Sequence, residues 1–123
     1  MEDGVSGFED TDNGVKIKLA SGKEIETQLV ILSIGVRPNS ILAKEAGLTL
    51  NSRGGIVVDD HLVTSDPNIY AIGDVIEVTD FVSKEKTMVP LAGPANKQGR
   101  ICADNIASGN EAFNGTQGTS VAK

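Results

Sequence analysis

The spacing of apolar residues changes several times along this chain, and each change marks an element. From Val15 to Leu19, Val15, Ile17 and Leu19 alternate with Lys16 and Lys18. A period of two is that of a half-buried strand. Ser21-Gly22 supplies turn chemistry, and Glu24 to Thr27 reads as the return strand of a hairpin. Leu29 to Ile34 is a continuous apolar run bounded by Gly35, the pattern of a strand covered on both faces. These three segments are expected to form a small antiparallel meander feeding a buried strand. Residues 1–13, acidic and glycine-containing, read as a frayed lead-in.

Gly35-Val36-Arg37-Pro38-Asn39 breaks the pattern, because Pro38 biases Arg37 away from helical geometry. Ser40 is placed to cap a short helix, Ile41 to Ala46, and Gly47 to end it. Ile56 to Val58 is expected as a short buried strand. Thr64 to Asn68 is expected as a turn, and Ile69 to Ile72 as a strand closed by Gly73-Asp74. Val75 to Val89 suggests a loose hairpin. A helix follows from about Leu91 to Ala107, with Pro94 tolerable only in its first turn. Leu91, Ala95, Gly99, Cys102, Ala103 and Ile106 are expected near its apolar side, Lys97, Gln98, Arg100 and Asp104 nearer solvent, with Gly109 ending it. The Gly/Thr-rich tail from Asn114 to Ser120 is compositionally biased, and its sequon, Asn114-Gly115-Thr116, reads as a loop.

At 123 residues the chain has the length of one domain, and its apolar fraction is that of an ordinary globular protein. Eleven basic residues lie scattered in a chain of net charge −6, and aromatic rings are few. Nucleic acid and anionic membrane surfaces are therefore not expected partners. The longest apolar stretch is far shorter than the ~20 residues needed to span a bilayer. The acidic Met1-Glu2-Asp3 start does not resemble a signal peptide, and a single cysteine, Cys102, suits a reducing compartment, so a cytoplasmic setting is expected.

The most specific signal is Thr64-Ser65-Asp66-Pro67-Asn68-Ile69-Tyr70-Ala71-Ile72-Gly73-Asp74, which resembles the second flavin motif of the two-dinucleotide-binding flavoproteins. Upstream, Ile31-Leu32-Ser33-Ile34-Gly35-Val36-Arg37-Pro38-Asn39 resembles the crossover motif of that superfamily, where the chain leaves the NAD(P)H domain and re-enters the FAD domain. Val89 to Arg100 and Gly115 to Lys123 narrow the resemblance to the coenzyme A-disulfide reductase, NADH oxidase and NADH peroxidase branch of the FAD-dependent pyridine nucleotide-disulfide oxidoreductases.

The resemblance implies an α/β fold: a partial FAD/NAD(P)-binding, Rossmann-like architecture with a small antiparallel β meander and one long C-terminal helix. Residues 1–35 would end the NAD(P)H-binding domain, residues 36–110 would form the second half of the FAD domain, and residues 111–123 would begin a linker to a dimerisation domain. It implies flavin contact at Gly73 and Asp74, at the backbone of Leu91 and Ala92, and at Gly35 of the crossover. Such proteins pass hydride from NAD(P)H through FAD to a disulfide of the coenzyme A disulfide type, or to oxygen or peroxide. Neither Gly-x-Gly-x-x-Gly signature nor the branch's redox cysteine occurs here, so this chain is expected to be an internal piece with no catalytic residue and no lasting grip on flavin of its own. Uncovered strand edges and apolar faces are expected to drive a homodimer or a swapped assembly. The alternative from another class is a non-enzymatic α/β binding module.

The chemistry of the residues agrees with those roles. Glycine lets backbone approach a ligand closely, and an ionised aspartate offers acceptors to the hydroxyls of a ribityl chain. The amides opening the last helix, with its dipole, suit the pyrimidine side of a flavin ring. Cys102, on the apolar side of that helix with no cysteine partner, reads as a small hydrophobe. Asp59-Asp60-His61 reads as a solvated loop, with no metal expected. Arg37 is a candidate for bridging domains or meeting the nicotinamide cofactor; Asn96, Lys97 and Arg100 read as a solvated helix face.

Overall fold

The computed structural model describes residues 3–121, so Met1, Glu2, Ala122 and Lys123, which belong to the expected lead-in and C-terminal motif, lie outside it. The chain divides into two compact units, Met1–Gly35 and Val36–Lys123.

The first unit is an antiparallel meander of β1 (Val5–Thr11), β2 (Gly14–Leu19) and β3 (Glu24–Thr27), with β2 central. Strand β1 replaces the expected frayed lead-in. Val5 and Phe8 are three residues apart, which breaks a period of two, but the pairing shifts register between Val5 and Gly7. A bulge there adds one residue and brings both side chains back to one face, opposite Leu19 and Ile17. Phe8, Ile17 and Ile25 then form an apolar row across all three strands, while Glu9, Lys16 and Glu26 form a charged row on the other face. Lys18 reaches Glu9 at 3.0 Å, which offsets part of the acidity that made the segment look unstructured, and Lys16 reaches Glu24 of β3 at 3.2 Å.

Leu29 to Ile34 departs from expectation in the opposite sense. It forms no ladder among the described residues, and Leu29, Ile31, Leu32 and Ile34 are all exposed. A strand of this composition needs neighbours for its amides and for both faces. The first unit supplies neither.

In the second unit, α1 (Ile41–Glu45) starts after Ser40, whose hydroxyl makes no capping bond. Its end is the one expected: Gly47 adopts a φ of 74°, and the Leu48 and Gly47 amides donate back to the carbonyls of Ala43 and Lys44, a Schellman closure. The expected strands at Ile56–Val58 and Ile69–Ile72 shrink to single bridges. Ile56 bridges Leu50 and Ile76, and Tyr70 bridges Val63. The Gly54, Asp59 and Gly73 turns cut these ladders short. The expected hairpin forms with short strands, β4 (Val78–Thr79) and β5 (Lys86–Thr87).

Helix α2 (Ala92–Ile106) lies across the core of Ala43, Ile56, Leu62, Ile76, Val78, Cys102 and Phe113. Pro94 falls in its first turn, as its missing amide requires. Its buried side is rotated from the expected one: Gln98 and Cys102 are buried, whereas Ala103 and Ile106 are exposed. The helix closes through Ser108 rather than Gly109. Ser108 takes the left-handed φ of 76°, and the Gly109 amide donates to the Asp104 carbonyl at 2.7 Å. Residues 111–116 are held to this unit: Phe113 is buried, its amide donates to the Asp60 carbonyl, and Thr116 bridges Asp80.

Candidate flavin half-site

The turn formed by Gly73, Asp74 and Val75 is one short 3-10 turn whose geometry begins at a glycine. Gly73 has a φ of 83°, a conformation in which a β-carbon costs about 1 kcal/mol or more. A β-carbon placed there would meet no atom within 4 Å, so the space over Gly73 is open to a ligand. Its backbone is tied down on both sides. The Ile76 amide donates to the Gly73 carbonyl at 3.3 Å, and the Ile56 amide donates to the Val75 carbonyl at 2.8 Å. Asp74 is left exposed and forms no ion pair among the described residues. A carboxylate presented at a fixed turn, with no partner of its own, is an acceptor available to a hydroxyl.

The start of α2 is the second feature. Leu91 is extended at the N-cap, with no side-chain cap and no acidic residue in the first turn. Ala92 and Gly93 are exposed, and Pro94 has no amide. The positive end of a 15-residue helix therefore faces solvent without an anionic side chain to offset it.

These two features are joined by a residue that the apolar pattern misjudged. Gln98, expected near solvent, is 1% exposed, and its Oε1 accepts the Gly73 amide at 2.7 Å. Next to it in the helix, Gly99 lies beside Ile72: an added β-carbon would make ordinary contact with the Ile72 Cδ1, at 3.7 Å. A signal was present in the sequence: Gln98 falls at helical spacing from Ala95 and Cys102, a polar residue on an apolar stripe.

The family model described as pyridine nucleotide-disulphide oxidoreductase matches residues 1–99. The chain belongs to the pyridine nucleotide-disulphide oxidoreductase family. It is 43% identical over 93 residues to an NADH oxidase of Methanocaldococcus jannaschii, covering 76% of this chain and 20% of that protein. It is 36% identical over 123 residues to the CoA-dependent NAD(P)H sulfur oxidoreductase of Pyrococcus abyssi, covering all of this chain and 27% of that protein. Among solved structures, reduced CoADR-RHD of Bacillus anthracis superposes with a TM-score of 0.82 at 54% identity, over 99% of this chain and 22% of that one. The chain thus spans about a quarter or less of the length of these relatives.

Pyridine nucleotide-disulphide oxidoreductases use FAD and NAD(P)H, and the expected partial Rossmann-like α/β architecture is the one these neighbours share. Of the residues singled out for cofactor contact, Gly73, Asp74, Leu91 and Ala92 all lie in the second unit, Gly73 and Asp74 on the tethered turn and Leu91 and Ala92 at the N-terminus of α2. Gly35 ends the first unit, exposed and with a φ of 77°.

The remaining candidates stay outside this arrangement. Cys102 is buried, and burial pushes its thiol up from the ordinary 9.0, the reverse of an activated nucleophile. In the Asp59-Asp60-His61 loop the Asp59 carboxylate accepts the His61 and Val63 amides, and Asp60 meets the His61 Nδ1 at 2.9 Å. Those bonds shape a turn that carries Leu62 into the core. Asn96, Lys97 and Arg100 are exposed, with Lys97 lying 5.9 Å over the Phe113 ring. Arg37 is exposed as well. No helix among the described residues is long and apolar enough to cross a membrane.

Proposed function

We propose that the protein carrying this chain is an FAD-dependent oxidoreductase that passes hydride from NAD(P)H through flavin to a disulfide of the coenzyme A disulfide type. In it the second unit supplies half of the flavin site. The observation that carries this reading is the Gly73-Asp74 turn: a left-handed glycine under open space, tethered to α2 through its amide, then an exposed carboxylate with no ion pair among the described residues. Asp74 would accept hydroxyls of the ribityl chain, and Gly73 would let that chain lie against backbone. The Leu91 and Ala92 backbone at the start of α2 would face the pyrimidine edge of the ring, where partial positive charge favours electron uptake. FAD, when bound, supplies the two-electron relay between NAD(P)H and the acceptor. This chain's residues contribute binding, orientation and electrostatics.

The names of the relatives favour two acceptors. The Pyrococcus protein is a CoA-dependent sulfur oxidoreductase, which supports a sulfur–sulfur acceptor, and the Methanocaldococcus protein is an NADH oxidase, which supports oxygen. The redox cysteine of the disulfide-reducing branch has no match in this chain, since Cys102 lies mid-helix and buried, so no catalytic residue is assigned here. The chain alone is proposed to be inactive and to hold little flavin. The exposed apolar run at Leu29–Ile34 supports a homodimer or swapped assembly for the chain alone, which light scattering would report as a mass twice that of the monomer.

The deciding experiment is anaerobic titration of the whole flavoprotein with NADH or NADPH, followed by coenzyme A disulfide or by air. Bleaching of flavin colour by the nucleotide and its return with coenzyme A disulfide are expected. A colourless protein indifferent to added FAD would end the oxidoreductase reading and leave a binding module. Colour that returns with air alone would select the oxidase.

A further inference from the structure

We infer that Gln98 is a positioning residue of the flavin half-site: by accepting the Gly73 amide from inside α2, it fixes the Asp74 carboxylate relative to the open N-terminus of the same helix. The inference rests on the flavin reading given above, whereas the hydrogen bond that motivates it does not.

Three observations support it. Gln98 is one of the three largest fully buried side chains, and the other two are the aliphatic Leu62 and Ile76. An amide is costly to bury, and methionine or leucine would fill similar space without that cost, so the position needs an acceptor rather than bulk. The acceptor meets its partner at 2.7 Å, at the short end of the range for N–H···O bonds. Finally, the bond is the turn's tie to α2, whereas the turn's carbonyls are held by Ile76 and Ile56. Behind it, the Ala71 amide donates to the Leu62 carbonyl; ahead of it, the Val75 carbonyl takes the Ile56 amide. Between them, Ile72 and Asp74 are exposed; the Gly73 carbonyl accepts the Ile76 amide within the turn, and the Gly73 amide is held to α2 through Gln98.

The helix makes this tether useful. Gln98 lies seven residues beyond the N-cap Leu91, roughly 10 Å along the axis at 1.5 Å per residue. A helix is stiff over that length, so a turn bonded to its interior keeps a constant offset from its first amides. A polyol chain at Asp74 and a ring at Ala92 are then recognised as one ligand of fixed length, and rigidity in the empty site lowers the cost of ordering it on binding.

The test uses the whole flavoprotein with Gln98→Met, which keeps length without an acceptor, Gln98→Glu, which restores an acceptor, and Asp74→Asn. Gly73 amide exchange in the apoprotein, FAD dissociation constant and flavin reduction potential are measured for each. Gln98→Met is expected to speed Gly73 exchange and weaken FAD, each by about tenfold, the size of one net hydrogen bond, while exchange within α2 at Cys102 is unchanged. Gln98→Glu, whose carboxyl oxygen accepts the same amide, is expected to restore slow Gly73 exchange and most of the FAD affinity lost in Gln98→Met. A merely space-filling role would leave Gly73 exchange the same in Gln98→Met and Gln98→Glu. If Gln98→Met unfolds the protein, the Gly73 amide proton shift of Gln98→Glu decides alone: it should move as the new carboxyl titrates, and a shift independent of pH overturns the inference. Asp74→Asn weakening FAD while Gln98→Met leaves Gly73 exchange and FAD affinity untouched overturns it and spares the flavin reading. Asp74→Asn leaving FAD affinity unchanged, with Gly73 exchange still accelerated by Gln98→Met, overturns both while keeping the bond.

Discussion

Leu62 offers a test of the fold in which two opposing terms can be separated. Its side chain is fully buried, yet its backbone has a φ of 69°, the left-handed region that a β-carbon disfavours. The Asp59 carboxylate, accepting the His61 and Val63 amides at 2.9 Å each, holds the turn, and the Leu62 amide returns to the Asp59 carbonyl at 3.2 Å. Truncation to alanine removes the packed atoms and keeps the β-carbon, at a cost of about 3 kcal/mol. Truncation to glycine removes the packing too, but releases the left-handed penalty of about 1 kcal/mol, which offsets the extra chain entropy glycine brings. At an ordinary buried site glycine is worse than alanine by about 1 kcal/mol. Here Leu62→Gly is expected to be as stable as Leu62→Ala, or slightly more so. Tyr70 is the sole tyrosine of a chain without tryptophan, so its emission during urea titration reports the second unit alone. A glycine variant that unfolds with a stability more than about 1 kcal/mol below the alanine variant would refute the claim that the turn strains Leu62.

The end of α2 gives a paired expectation: Ser108→Gly should stabilise the second unit by roughly 0.5–1 kcal/mol because Ser108 has a φ of 76°. Gly109→Ala should destabilise it, because the new β-carbon would stand 2.7 Å from the Asp104 carbonyl oxygen; urea midpoints by Tyr70 emission check both. In the meander, a hydrogen bond and then the charge of Lys18 hold the Glu9 carboxyl below its ordinary 4.5. Its contribution is complete above 4.5 and fades as pH falls through the depressed value, so amide exchange in β1, corrected for intrinsic rates, should lose protection in acid. Lys16, raised above 10.5 by its hydrogen bond to Glu24, has the opposite sign and loses its contribution only as pH rises through that raised value. Cys102 should react slowly with a disulfide reagent in the native protein and quickly in urea, since burial both shields its thiol and keeps it protonated; equal rates would contradict the packing of α2.

Elements set by local chemistry were legible in the sequence. The Val15–Leu19 alternation, the Gly47 helix end, the Pro94 first turn and the Gly73-Asp74 turn each depend on residues close together in the chain. Features set by distant partners were not. Strand β1 was hidden because its bulge broke the period of two and its acidic residues needed Lys16 and Lys18, a strand away, to be neutralised. Leu29–Ile34 failed in reverse: its composition is that of a covered strand, but the first unit holds nothing to cover it. Gln98 was assigned to solvent because a polar side chain on a helix ordinarily goes there, and only the position of Gly73, 25 residues earlier, explains its burial. Gly109 was read as the helix end because glycine prefers left-handed backbone, yet that conformation falls on Ser108, while the crowding by Asp104 explains the glycine.

In the proposed flavin site two kinds of force would meet on α2, and their different reach explains why such a site needs a rigid frame. A hydrogen bond from a polyol hydroxyl to Asp74 depends steeply on distance and angle, so it is lost when the turn shifts by a fraction of an ångström. The field of the helix N-terminus is longer-ranged and acts over about one turn, so it tolerates such shifts. A loosened Gly73 turn would therefore sacrifice binding before it altered the electronics of the ring. On that reading, Gln98, the one fully buried amide side chain among the described residues, serves the short-range contact, and the long-range one is left to backbone that needs no side chain at all. That division also accounts for the pattern in the sequence: the turn requires a glycine, an acid and a remote glutamine, whereas the helix start requires only the absence of a cap, an acid and bulk at Ala92 and Gly93.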